Sequence, residues 1–238
     1  MNDTLNFLAF ETSTDKMSVA VSRGAQTWHH HGAGGPNASA QLIPVIQGLL
    51  GQAQLTLNAL TALVIGQGPG SFTGLRTACS VAQGLALGAH LKVIQVDTLM
   101  AVAEEARFQR AGQEKNQMQT VGVLMDARMG EVYAGAYAWQ PESNEWLSVL
   151  HLQVGPPEAM VAVLSRLPKP WDVLAGNGLD AQASAMPHAL ALLRLAPALW
   201  ARGQTVLPEQ VQPLYIRDKV AQTTAEREAI KAAKSISI

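Results

Sequence analysis

Val121-Gly-Val-Leu-Met-Asp126, Ala127-Arg-Met-Gly130 and Glu131-Val-Tyr-Ala-Gly-Ala-Tyr137 read in turn as an apolar strand ending in a carboxylate, a tight turn and a returning strand. The stretch restates the opening of the chain. There Asn6-Phe-Leu-Ala-Phe-Glu11 is a buried strand with a carboxylate at its end, and Thr12-Ser-Thr-Asp-Lys16 is a polar turn. Met17-Ser-Val-Ala-Val-Ser22 alternates as a half-buried returning strand. Working outward, the first copy continues with a strand at 26–31, a Gly/Pro/Asn loop at 32–37 and a helix at 39–53. Ala62-Leu-Val-Ile65 then runs into Gly66-Gln-Gly68. The second copy continues with a strand at 145–154 and a helix at 156–167. Asp172-Val-Leu-Ala175 then runs into Gly176-Asn-Gly178. From Glu11 to Gly66 is 55 residues and from Asp126 to Gly176 is 50, so the likeness is one of order and spacing rather than identity.

Strands alternating with helices behind an opening antiparallel hairpin imply a mixed sheet covered on its faces. Twice over, that pattern describes the duplicated actin-like, hexokinase-like fold of the α/β class (the ASKHA, ribonuclease-H-like group), in which two carboxylate-tipped hairpins face one another across a cleft. The expected halves are residues 1–111 and 112–217, followed by a partly disordered tail at 218–238. Further helices are expected at 75–87 and 98–110, with a strand at 92–96 and a loop at 111–120. The segment 189–203 reads as a helical stretch broken at Pro197, and 212–217 as extended.

The composition narrows the function classes. A chain of 238 residues with 48% hydrophobic content can bury a substantial core. A net charge of -1, a pI near 6.6 and 5% aromatic content argue against a protein that grips nucleic acid by itself. The single cysteine, Cys79, allows no internal disulfide and fits a reducing cytoplasm. The first residues carry no basic leader, and no apolar run approaches the ~20 residues of a membrane span.

The densest motif is Gly66-Gln-Gly-Pro-Gly-Ser-Phe-Thr-Gly74 at a strand-to-helix junction. Its glycines let backbone approach closely, and amides opening a helix can hold an anion. The Gly-Lys-Ser/Thr ending of a P-loop is absent, and the dinucleotide fingerprint fails at Ser71 and Thr73. A phosphate cradle, a tight turn and a protein contact remain open readings. Glu11 and Asp126 sit where an active enzyme of this fold would hold a metal–nucleotide or activate a hydroxyl, but a carboxylate at a strand end also caps its own turn. His29, His30 and His31 alternate faces on a strand, and His90, His151 and His188 are isolated in sequence, so no protein-made metal site is expected. Cys79 lies in a small-residue helix with no cue for a base, which reads as a buried structural thiol.

Gly68-Pro-Gly-Ser-Phe-Thr-Gly-Leu-Arg76 resembles the signature of the TsaB family, also called the YeaZ family. Its matching residues are Gly68, Pro69, Gly70, Ser71, Phe72, Thr73, Gly74 and Arg76. Glu11-Thr-Ser-Thr, Asp126-Ala-Arg-Met-Gly-Glu-Val-Tyr133, Gly176-Asn-Gly178 and Pro213-Leu-Tyr-Ile-Arg217 match further pieces, in family order and over nearly the whole chain. Glu11 departs from the family, which more often has Asp there. The resemblance implies the duplicated fold and a non-catalytic scaffold. That scaffold pairs with the catalytic paralogue TsaD and works with the ATPase TsaE to make threonylcarbamoyladenosine beside the tRNA anticodon. It implies no cofactor of the chain's own, any nucleotide lying at the joint with TsaD. It also implies that a similar face can pair two copies into a homodimer in isolation, and the near-neutral charge leaves contact with tRNA to the complex. The older glycoprotease label of the family finds no supporting residues here. The two helices 39–53 and 75–87 are then the expected interface, through Leu42, Ile46, Leu49, Val81 and Leu85. The competing reading is a small-molecule kinase or ATPase of the same fold, with Thr12-Ser-Thr as its phosphate turn. A peptidase lacks a credible nucleophile and metal pair.

Overall fold

β1 (Asn6–Glu11) and β2 (Lys16–Arg23) form the opening hairpin, in antiparallel register from Asn6 opposite Arg23 to Glu11 opposite Ser18. The chain is described from a computed structural model, which covers residues 4–35, 38–110, 120–168, 171–178 and 181–217. β3 (Gln26–Ala33) adds to the outer edge of β2, while β4 (Ala62–Gly68) and β5 (Lys92–Asp97) join parallel to β1. The first sheet therefore runs β3-β2-β1-β4-β5. The second hairpin, β6 (Thr120–Arg128) and β7 (Glu131–Gln140), is extended by β8 (Glu145–Gly155) on one side. The parallel β9 (Val173–Gly176) lies on the other, giving the order β8-β7-β6-β9. Two mixed sheets, each opened by a carboxylate-tipped hairpin, make the duplicated α/β fold expected from the pattern.

The helices follow from which strand faces are apolar. α1 (Ala38–Ala53) and α2 (Phe72–Ala89) cover the outer face of the first sheet, where Leu8, Phe10, Val19, Leu63 and Ile65 are fully buried. α4 (Pro157–Ser165) covers the outer face of the second through Met160 and Leu164. α3 (Thr98–Arg110) and α5 (Ala189–Ala201) lie in the core shared by the inner faces of both sheets, with Val64, Ile94, Val123 and Tyr137. Such a position requires small apolar residues around the helix, and Ala101, Ala103, Ala106, Ala191 and Ala196 provide them.

Three expectations change. α2 begins at Phe72, so half of the glycine signature is already helix. α5 continues through Pro197 without a break. It also packs on β1, β2 and β4, with the Ala189 amide donating to Ser18 Oγ at 2.9 Å. The helix is thus placed by the first sheet although its residues fall in the second half of the chain. Of the loop expected at 111–120, residues 111–119 lie outside the described residues, as does the tail at 218–238, and Thr120 already opens β6.

Candidate functional site

The glycine signature closes on the opening hairpin of its own chain. Glu11 ends β1 only 1% exposed, directed at Gly66 on β4, where any Cβ would overlap its carboxyl group. The Ser13 amide donates to Glu11 Oε1 at 2.6 Å, and the Ser71 amide donates to the Ser13 carbonyl at 2.7 Å. Thr12 Oγ1 donates to the Gly74 carbonyl at 2.7 Å. A Cβ at Gly70 would lie 2.6 Å from that of Ser13, and one at Gly74 would overlap the Thr12 carbonyl oxygen. The close approach that these glycines permit is therefore an internal one. The hairpin amide that a phosphate would need at Ser13 is already taken up by Glu11. Burial pushes the Glu11 carboxyl up, against hydrogen bonds from Ser13 and Thr12 and the nearby His188.

Beside this clamp lies a cleft of about 560 Å³ between the halves. Ser13, Ser71, Asp126, Arg128, Asn177 and Tyr215 are among its lining residues. Asp126 faces it, exposed, with Oδ1 accepting from the Arg128 amide at 2.7 Å and its own amide donating to Asn177 Oδ1 at 2.9 Å. Glu11 is not part of that lining. The two carboxylates expected to face each other across the cleft are thus separated by environment, because the glycine clamp covers the first and leaves the second open. Register explains the asymmetry. Ile65 pairs with Phe10, placing Gly66 beside Glu11, whereas Gly176 pairs with Leu124, two residues before Asp126.

Other predicted groups are placed as follows. Cys79 is buried, and burial pushes its thiol up to about 11, which removes nucleophilic character at neutral pH. His188 is isolated in sequence but not in space. Its Nε2 lies 2.7 Å from Glu105 Oε2, and its ring meets His31 edge-on, with His29 beyond. Burial alone would raise the Glu105 carboxyl, but hydrogen bonds and charge from His188, Arg194 and Gln109 bring it down to about 2. Glu104, 1% exposed, accepts from Arg107, Arg194 and Trp146 Nε1. Sequence reading missed this network, although two adjacent glutamates inside the apolar run 101–106 were a signal that something must neutralise them. Among the described residues no group of three His, Cys, Asp or Glu is placed to hold a metal, and no helix is long and apolar enough to cross a membrane. Between the halves, Asp97 Oδ2 accepts from Tyr137 Oη at 2.5 Å, and burial raises the Asp97 carboxyl to about 6 despite that bond.

The expected helical interface needs correction. Leu42, Ile46 and Leu49 are 0%, 1% and 5% exposed and pack on the first sheet, so they form core rather than a surface a partner could reach. Val81 and Leu85 are half-buried at the margin of that core. The outward side of the pair is made instead of Ile43, Pro44, Gln47, Gly48 and Gly51 on α1 and Ser80, Gly84, Leu87 and Gly88 on α2. α1 carries no charged residue, and in α2 Arg76 alone is charged. A Cβ added at Gly48, Gly51, Gly84 or Gly88 would meet nothing within 4 Å. Each glycine costs a helix interior about 1 kcal/mol relative to alanine, and among the described residues nothing requires these four.

Comparison with known proteins agrees with this architecture. The profile of the family described as "TsaD: tRNA N6-adenosine threonylcarbamoyltransferase" matches residues 30–150. The tRNA threonylcarbamoyladenosine biosynthesis protein TsaB of Haemophilus influenzae is 32% identical over 91% of this chain and 95% of its own. The protein of the same name from Escherichia coli is 33% identical over 91% and 96%. The solved structure of YeaZ from Pseudomonas aeruginosa superposes with a TM-score of 0.74 at 33% identity, covering 89% of this chain and 99% of that one. With the same fold as YeaZ and identities of 32% and 33% to two TsaB proteins over 91% of its length, the chain belongs to the TsaB (YeaZ) family.

Proposed function

We propose that this chain is a non-catalytic partner subunit in the synthesis of threonylcarbamoyladenosine on tRNA, the pathway for which its relatives are named. It acts through a TsaD-type catalytic subunit and a TsaE-type ATPase, and meets tRNA through the complex rather than alone. The observation that carries the reading is the outward face of α1 and α2. It is uncharged, it exposes Ile43 and Leu87 at 42% and 67%, and it is lowered to backbone at four glycines that no described residue packs against. Small residues at such positions let a second helix pack closely. The covered Glu11 and the occupied Ser13 amide support the non-catalytic assignment.

The test exploits the open space at the glycines. Gly48→Arg and Gly84→Arg should fold with an unchanged or higher melting temperature and lose co-purification with the TsaD-type subunit. In a reconstituted reaction with TsaD-type and TsaE-type proteins, the donor-forming enzyme and tRNA, both should lose modification. Full modification without this chain would overturn the reading. Robust ATP turnover by the isolated chain would favour the small-molecule kinase of the same fold.

A further inference from the structure

Beyond α5 the chain returns as an extended strap, Val211–Arg217, laid along the first half. Gln83 Nε2 of α2 donates to the Val211 carbonyl at 2.9 Å, and Gln95 Nε2 of β5 to the Gln212 carbonyl at 2.8 Å. The Leu214 amide donates to the Gln67 carbonyl at 2.8 Å. The Leu214 carbonyl approaches Gly68 so closely that a Cβ there would lie 2.6 Å from it. Tyr215 then stacks on Phe72 with centroids 5.3 Å apart, and its Oη accepts from Arg76 Nε at 3.0 Å. The Arg76 guanidinium in turn lies 3.7 Å from the Phe72 ring centroid. Two residues on, Arg217 reaches the other half. It pairs with Glu131 and sits 3.5 Å from the Arg128 carbonyl oxygen and 3.6 Å from Met129 Sδ. Leu214 to Arg217 form one wall of the cleft.

The turn gripped by Arg217 is strained. Arg128, Met129 and Gly130 have φ of 63°, 59° and 76°, three consecutive left-handed residues of which two carry side chains. L-residues resist that conformation, and it persists where surrounding contacts hold it. Met129 is 57% exposed, so its own burial does not hold the turn. The β6–β7 pairing of Arg128 with Glu131 closes the two-residue loop Met129-Gly130, and the Asp126 cap on the Arg128 amide and the Arg217 grip on the Arg128 carbonyl and Glu131 add to it.

We propose that the strap is a releasable clasp across the cleft, with an aromatic anchor on the first turn of α2 and an ionic anchor on the strained turn of the second half. Tyr215 and Arg217 share one extended run, so each anchor is positioned by the other, and release of either frees both. The clasp thereby couples the amino-terminal turn of α2 to the width of the cleft. It stands on geometry within the chain and is independent of the identity of any partner.

Hydrogen exchange on the full chain tests it. Tyr215→Ala should speed exchange at amides 126–131 by about tenfold, although the ring it removes stacks on the opposite half. Arg217→Ala should speed exchange at the hydrogen-bonded amides of Ser71 and Leu75 to a similar degree, and the double variant should exceed neither single one by more than about twofold, as expected for parts of one unit. The charge swap Arg217→Glu with Glu131→Arg re-forms the ion pair but not the donation to the Arg128 carbonyl, and should restore part of the protection at both turns, which separates loss of the clasp from general loosening of the fold. Effects confined to the side that was mutated, additive effects in the double variant, or a swap that restores nothing would each overturn the clasp.

Discussion

The two carboxylate-tipped hairpins share one design and have opposite fates. In the first, β4 presents Gly66 to the carboxylate itself, and Gly70 and Gly74 bring the α2 junction down on Thr12 and Ser13. In the second, Gly176 and Gly178 press on Leu124, two residues short of the carboxylate, and the turn at 128–130 is left in the open. A short displacement of where the glycines press thus separates a buried carboxyl from an exposed one. The lesson is that a duplicated fold can close one of its two hairpin turns with backbone alone, without substituting the polar residues that a motif search would look for.

Four substitutions probe this contrast. Gly74→Ala sets a methyl against the Thr12 carbonyl and should destabilise by about 3 kcal/mol or more in denaturant unfolding, since the obstacle is backbone. Retained stability would mean that the clamp gives way easily, and the contrast would break. The joint between the halves comes next. Asp97 is protonated more readily in the folded chain, about 6 against 3.8. Its stabilising contribution is therefore full below pH 4 and lost as the pH rises through 6. Asp97→Asn should accordingly gain up to about 3 kcal/mol at pH 7 and nothing at pH 4, read from unfolding midpoints across that range. A gain that persisted at pH 4 would show that ionisation is not the cause. Gly130→Ala, at φ 76° with open space around its Cβ, should lose only about 1 kcal/mol, the penalty of the left-handed backbone alone. Asp126→Ala removes one exposed cap from the Arg128 amide and should shift the midpoint less than Gly130→Ala does. A larger shift would mean that the second carboxylate holds its hairpin together as firmly as the first.

Much of the fold was legible because strand alternation and carboxylate placement are local. The hairpins, the four-residue strand before Gly176-Asn177 and the helix behind Pro156 all follow from runs of a few residues. Register was not legible. Whether Gly66 or Gly68 stands beside Glu11 depends on pairing between chain segments 55 residues apart, which composition does not encode. Three of the expected interface residues turned out to be core for a related reason. Leu42, Ile46 and Leu49 repeat at helical spacing, and that spacing identifies a buried face without saying whether the chain's own sheet or another molecule buries it. Each fully buried Leu or Ile is worth about 2 kcal/mol to the fold, so the sheet claims the richest stripe first. What remained for the outside was the weaker pattern of glycines and scattered apolar residues. Arg194 and Glu104 meet across 90 positions of sequence, and neither announces the other.

The four glycines on the outer helices have one more consequence. At those positions folding and assembly would select in opposite directions. A library of alanine substitutions sorted only for thermal resistance should enrich Gly48→Ala, Gly51→Ala, Gly84→Ala and Gly88→Ala, because each adds helix propensity in empty space. Sorted for tRNA modification in living cells, the same library should deplete them. The size of that reversal, position by position, would trace the footprint of whatever rests there without a structure of the assembly.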